Sequence, residues 1–226
     1  MPTILLVRHA QASFGSADYD VLSPAGVEQT KLLGRALAGR GLNVTRVCAG
    51  SARRQLETAA CWAGEPPLAV EIDVRWNEYE TEKVLANHAG AAVGLDGVGG
   101  GGEPITSRQF QAVLDEALEV WVRSGEETTV AQSWPAFLGS RTNALEDLVA
   151  GLGSGETGLV FTSGGVIAAI CSHLLGEHPD LFPRLNRVLV NTGITKLAVG
   201  RAGTSLIAFN EHAHIDAGGG ALLTYR

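Results

Sequence analysis

An uninterrupted apolar run, Ile4-Leu5-Leu6-Val7, stops at a charged pair, Arg8-His9. Four successive aliphatic residues leave no polar face, which suits a strand covered on both sides in a parallel sheet. The segments that follow fit that plan. Ser23-Pro24 reads as an N-cap with proline in the first turn, opening a helix over 25–40 with Gly41 as its stop. Residues 44–49 read as a second strand, Ser51 as the cap of a helix over 52–63, and 68–72 as a short third strand. Further on, 158–162 reads as a strand, Ser163-Gly164-Gly165 as a tight turn and 166–175 as a helix, with two more strands over 194–199 and 204–210. This alternation predicts an α/β fold. It is a three-layer α/β/α sandwich around a mostly parallel, doubly wound sheet.

The 226 residues suit a single domain. Residues 80–127 break the rhythm and read as a partly helical insertion over the site. Within it Phe110, Val113, Leu114, Ala117, Leu118 and Trp121 recur at helical spacing over 107–123, and the glycines of 97–102 suit a mobile lid. Another helix is expected over 129–152. Trp62, Trp121 and Trp134 read as helix-packing residues.

A formal net charge of −7 argues against a nucleic-acid partner. An anionic substrate would then need positive charge gathered locally. No apolar stretch is long enough for a membrane span, and the first residues lack the pattern of a signal peptide. Cys48, Cys61 and Cys171 form no CxxC pair and read as reduced, buried thiols. A cytoplasmic location is the expectation, with a homodimer as an allowed assembly.

Four clusters carry chemistry, each just past the carboxyl end of a predicted strand, where open α/β sheets bind ligands. Arg8-His9 pairs a guanidinium with an imidazole, which can hold an anion and attack it. Arg53-Arg54 opens a helix, whose unpaired N–H groups attract anions; the plainer reading is an exposed basic turn pairing with Glu57. Glu78 and Glu80 lie among aromatics, where a shielded carboxyl group can hold and hand over a proton. In Thr162-Ser163-Gly164-Gly165 the glycines let the backbone approach a ligand. No Gly-x-Ser-x-Gly elbow surrounds Ser163, so it does not read as a nucleophile. Residues 97–102 are not a phosphate loop, since no Gly-Lys-Ser/Thr follows. His212 and His214 would share one side of a strand, but no third metal ligand accompanies them.

Together these motifs resemble the histidine phosphatase superfamily, the phosphoglycerate mutase-like proteins. The family's Arg-His-Gly after the first strand corresponds to Arg8-His9-Ala10. Its second arginine, four residues before a Thr-Ala pair, corresponds to Arg54 with Thr58-Ala59, and its proton-donating glutamate to Glu78. Phe209-Asn210-Glu211-His212-Ala213-His214-Ile215 is similar to its closing motif. Two departures stand out. Ala10 replaces the signature glycine, and Ser163 stands where the family carries a second histidine.

The resemblance implies an enzyme, a phosphatase that hydrolyses a small phosphorylated metabolite through a phosphohistidine on His9. Arg8 and Arg54 would clamp the phosphoryl group and Glu78 would protonate the leaving oxygen. Ser163 and Gly164 would add hydrogen bonds, Gln11 and Ser13 would line the entrance, and no metal or organic cofactor would be required. Asn87, His88, Arg108 and Arg123 are the polar residues of 80–127 expected near the substrate. The alternatives are a weakly active or non-catalytic phospho-ligand binder, favoured by Ser163, and a mutase-type phosphoryl transferase.

Overall fold

The computed structural model describes residues 1–13, 20–62, 67–86, 88, 106–126, 132–216 and 220–225. Its six strands are β1 (Thr3–Arg8), β2 (Val44–Ala49), β3 (Val70–Ile72), β4 (Thr157–Thr162), β5 (Ile194–Gly200) and β6 (Gly203–Glu211). They form one sheet in the order β3-β2-β4-β1-β5-β6. The β3-β2, β2-β4 and β4-β1 pairings are parallel, whereas β5 runs antiparallel to both β1 and β6. The parallel part therefore sends four carboxyl ends to one edge.

The helices are α1 (Pro24–Ala38), α2 (Arg53–Ala59), α3 (Thr81–Ala86), α4 (Ser107–Arg123), α5 (Trp134–Ala150), α6 (Gly164–Leu174), α7 (Leu181–Val188) and α8 (Ala213–Asp216). Alternation along β1 shows why they take both faces. Ile4 and Leu6 join the core beneath α4, α5, α6 and α7, with Val160, Leu197, Trp121 and Phe137. Leu5 and Val7 join a second core with Leu33, Leu37 and Ala59 of α1 and α2. That is the expected sandwich, and it explains the unbroken aliphatic run.

Local chemistry sets the helix starts. The Ser23 hydroxyl accepts from the Gly26 N–H (3.0 Å), with Pro24 in the first turn. Thr106 and Gln109 form a reciprocal capping box at α4. Ser133 caps α5, so that helix begins at Trp134 rather than at 129. Ser51 does not cap α2. Its N–H donates to Asn77 Oδ1 (2.7 Å) and its hydroxyl accepts from Asn77 Nδ2 (2.8 Å). The Gln55 carboxamide instead turns back to accept from the Ala52 N–H (3.2 Å). No separate turn exists at 163–165 either, because α6 starts directly at Gly164.

Helix α7 went unread in the sequence, since Pro183 and its eight-residue length hide the pattern. The chain turns helical at Ala213, which removes the strand that would have aligned His212 and His214. His212 Nδ1 bonds the Asn210 carbonyl and His214 Nε2 meets Thr192 Oγ1 (3.2 Å). Cys48 and Cys171 are buried, and Cys61 only partly. Trp121 and Trp134 meet Phe137 and Phe182 in one aromatic cluster, and Trp62 packs on the second core. Among the described residues no helix is long and apolar enough to cross a membrane. Residues 97–102 and Asn87, and the side chain of Arg108, lie outside what is described.

Candidate active site

His9 sits one residue beyond β1 and is almost wholly buried. Its N–H donates to the Thr162 carbonyl of the neighbouring strand (2.8 Å), and its carbonyl accepts from Asn191 Nδ2 (3.0 Å). The next N–H, at Ala10, donates to Thr58 Oγ1 (2.9 Å), and Thr58 donates onward to the Arg54 carbonyl (2.6 Å). Thr58 thus couples the histidine loop to the helix bearing Arg54. Asn191 is braced in turn: its Oδ1 accepts from Thr224 (2.9 Å), whose hydroxyl accepts from buried Gln29 (2.7 Å).

The imidazole is oriented at both nitrogens. Nδ1 lies 2.8 Å from the Ala10 carbonyl, which can only accept, so Nδ1 carries the hydrogen. Nε2 keeps a lone pair, and Arg54 Nε donates to it at 3.2 Å. Burial first, then the positive charges of Arg54 and Arg8, hold His9 well below the usual histidine range. The ring is neutral at pH 7, as a nucleophile must be.

The two adjacent arginines divide their roles. Arg53 takes the plain one and pairs with Glu57 (2.7 Å) on the surface. Arg54 turns inward to His9 and also pairs with Asp20. Asp20 accepts from the Arg53 N–H as well (2.7 Å), tying the loop before α1 to the start of α2. Nothing in the spacing of the sequence marked Asp20. Arg8 reaches back from the end of β1, donates to the Leu189 carbonyl and lies against Gly164, where a Cβ would sit 3.5 Å from its Nε.

Glu78 follows β3 by way of a short 3-10 helix, Val74–Trp76. Three side chains fix that approach. Gln55 and Thr162 both donate to the Trp76 carbonyl (3.0 and 2.6 Å), and Arg141 donates to the Asn77 carbonyl (2.7 Å). The carboxylate of Glu78 accepts from the Gly165 N–H (3.0 Å) at the start of α6 and from the Tyr79 N–H (3.1 Å). Burial raises its pKa against the pull of those N–H groups and of Arg54 and Arg8. Both arginines therefore act electrostatically on both His9 and Glu78.

Gly165 is required by contact. An added Cβ would stand 2.1 Å from Glu78 Oε1 and 2.5 Å from the Tyr79 ring. Gly165→Ala is expected to lower stability by about 1–3 kcal/mol, the usual cost of overpacking, and to displace Glu78. Thermal unfolding and kcat/KM on an alkyl phosphate, measured side by side, check both effects.

Ser163 is fully buried, and its hydroxyl accepts from Gln55 Nε2 (2.8 Å). The Gln11 side chain accepts from the Ser23 hydroxyl (2.8 Å), and the Ser13 N–H donates to the Val21 carbonyl (2.8 Å). Of the polar residues expected near the substrate in 80–127, His88 lies 3.6 Å from Glu116, and Arg123 is exposed and paired with Asp180 (2.8 Å). Arg141, Gln55 and Asn191 escaped the sequence reading, and Thr58 entered it only as part of the family's Thr-Ala pair. Each acts through a contact between distant segments, so no local spacing signals it.

Comparison with known proteins fits this geometry. The chain is similar to a phosphoserine phosphatase of Entamoeba histolytica crystallised with phosphoserine, at 18% identity and TM-score 0.68, over 95% of this chain and 100% of the other. It is similar to a mycobacterial glucosyl-3-phosphoglycerate phosphatase in complex with inorganic phosphate, at 20% identity and TM-score 0.63, over 94% and 99%. Bacillus stearothermophilus YhfR aligns at 18% identity and TM-score 0.64, over 95% and 99%. A search of curated protein sequences found no match. The sequence profile described as the histidine phosphatase superfamily (branch 1) matches residues 4–87 and 100–212. The protein whose buried, neutral histidine faces Arg54 at this sheet edge belongs to that superfamily.

Proposed function

We propose that the protein is a phosphatase for a small phosphorylated metabolite, working through a phosphohistidine on His9. The observation that carries the reading is the state of His9. Its Nδ1–H is held by the Ala10 carbonyl, and the Nε2 lone pair is presented to a guanidinium that can transfer to a phosphoryl oxygen.

The steps follow. Arg54 leaves Nε2 for the phosphoryl oxygens, with Arg8 as the second cation, and guanidinium forks suit such oxygens. His9 Nε2 attacks phosphorus and the ester P–O bond breaks. The leaving oxygen takes the proton of Glu78, giving the alcohol, a carboxylate and an N–P bond. A water then gives its proton to Glu78 while its oxygen attacks phosphorus. The N–P bond breaks, its electrons return to Nε2, and inorganic phosphate departs. Electrostatic clamping supplies most of what this loose transition state requires. On this reading α3 and α4 belong to the cap of a single domain, and Gln11 and Ser13 edge the entrance. A binder would gain nothing from a carboxyl group with a raised pKa beside two arginines, so Glu78 favours catalysis over mere binding.

Ser163 replaces the family's second histidine with a neutral donor. Its oxygen already accepts from Gln55, which leaves its O–H free to turn toward the phosphoryl group. Ser163→Ala is expected to lower kcat/KM about 10- to 100-fold, the scale of one hydrogen bond to a charged group, and to weaken inhibition by inorganic phosphate.

The direct test is trapping. The full chain is mixed with an aryl phosphate, quenched in alkali and weighed by mass spectrometry. The expected result is one phosphoryl adduct on His9 that is lost in acid. An adduct elsewhere, or none during turnover, overturns the reading.

A further inference from the structure

Gln55, next to Arg54 on α2, and Ser163, between β4 and α6, are both fully buried. The Gln55 carboxamide is held by two backbone groups and cannot flip. Its Oε1 accepts from the Ala52 N–H (3.2 Å), which can only donate. Its Nε2 donates to the Trp76 carbonyl (3.0 Å), which can only accept. The other Nε2 hydrogen is thereby committed to Ser163 Oγ, 2.8 Å away. Toward Gln55 the serine oxygen must accept, and its own hydrogen must point elsewhere.

A serine just before a helix ordinarily turns its oxygen back to the first N–H groups of that helix. Ser163 makes no such cap. The Gly165 N–H is taken instead by the Glu78 carboxylate (3.0 Å). Among the described residues no hydrogen bond uses the Ser163 hydroxyl as donor. Its chain neighbours meanwhile touch three groups of the reaction. The Thr162 carbonyl accepts from the His9 N–H (2.8 Å), Gly164 lies against the Arg8 guanidinium, and Gly165 holds Glu78. A phosphoryl group placed between those groups is the acceptor within reach of the serine.

We propose that Gln55 is a positioning residue of the phosphoryl transfer: its locked carboxamide makes Ser163 a one-way donor, and the hydrogen bonds a phosphoryl oxygen. That hydrogen is shared and not transferred, so the proton balance of the reaction is unchanged. Accepting from an amide polarises the serine O–H and strengthens the bond it donates. The donor is also set before substrate arrives, because α2 and β4 fix both side chains, and a donor fixed in advance costs no reorganisation during reaction. This inference rests on the phosphatase reading for the identity of the acceptor.

The rival role for Gln55 is to hold the Trp76 carbonyl and, through it, Glu78. The two are separated by combining Gln55→Met with Ser163→Ala in the full chain. The readout is kcat/KM on nitrophenyl phosphate, whose leaving group needs no proton, so a shift of Glu78 weighs little. Gln55→Met is expected to lower kcat/KM about 3- to 10-fold, the scale of one neutral hydrogen bond. In the Ser163→Ala background the same change is expected to cost about 2-fold or less, as for residues acting in one network. Equal losses in both backgrounds overturn the proposal, and so does no loss with Ser163 in place. Should Gln55→Met fail to fold, nuclear magnetic resonance of wild type and Ser163→Ala, isotope-labelled at the glutamine side-chain nitrogen, decides. Inorganic phosphate is expected to shift one slowly exchanging amide pair in wild type and to leave it unmoved in Ser163→Ala. The same shifts in both proteins, or none in either, overturn the proposal. A missing adduct on His9 with the non-additive losses intact strikes the covalent route and not Gln55; an adduct on His9 with additive losses strikes Gln55 and not the route.

Discussion

His9→Ala is expected to reduce turnover of any phosphomonoester to background, a fall of roughly 10⁴-fold or more, the scale for removing a covalent nucleophile. The loss should be chemical rather than structural. His9 is neutral, so its removal leaves no buried charge, and its backbone is held by Thr162 and Asn191 whatever the side chain. The side-chain bond to the Ala10 carbonyl is worth about 1 kcal/mol, which should appear as a small drop in Tm at pH 7. The pH dependence of stability should change in a defined direction. The folded state resists protonating His9, while the unfolded state accepts the proton near the ordinary histidine pKa. Wild type therefore loses stability as pH falls through that range, and the variant should lose less. Measured kcat, trapped adduct and Tm at pH 7 and pH 5 give four readings. Residual turnover within tenfold of wild type would remove His9 from the chemistry.

Residues whose position follows from their own strand or helix were legible in the sequence. Arg8 and His9 were placed by the apolar run before them, Arg54 by the helix start, and Glu78 by its position after β3. The unbroken aliphatic run of β1 was legible as a strand covered on both sides, and the two cores bear that out. Residues acting across the fold were not legible. Asn191 reaches the His9 carbonyl from 182 positions away, and Gln55 reaches Ser163 from 108. Neither distance leaves a local pattern. Ser51 illustrates the opposite error. A serine before a helix is a fair cap by type, but here Asn77 offers both a donor and an acceptor to it, and Gln55 takes the capping role. His212 and His214 were paired on the premise of a strand, and the short helix at Ala213 removed that premise. The antiparallel course of β5 also could not be read, because it depends on the unread α7: with two helices between β4 and β5 instead of one, the chain enters beside β1 in the reverse sense.

Glu78→Gln should separate the two halves of the reaction by leaving group. An alkyl ester needs a proton on its departing oxygen, so its kcat/KM is expected to fall about 10²- to 10⁴-fold, the range for general acid catalysis. A nitrophenyl ester departs without help, so its phosphorylation step should fall far less. Hydrolysis of the intermediate then lacks its base. The phosphoenzyme should accumulate, seen as a burst of nitrophenol equal to the enzyme present, followed by slow turnover. The pH profile carries an independent sign. Burial raises the pKa of Glu78, and phosphorylation by an alkyl ester requires the protonated form, so wild-type kcat/KM should fall as pH rises through that raised value. In Glu78→Gln this alkaline limb should vanish. Stability should follow the same group. The unfolded chain ionises Glu78 at the ordinary carboxyl value, while the folded chain holds the proton longer. Wild type therefore loses stability as pH climbs between the two, and the glutamine variant should not. Equal losses on alkyl and nitrophenyl esters, with no burst and an unchanged alkaline limb, would mean that the proton comes from another group, and the site would need a different acid.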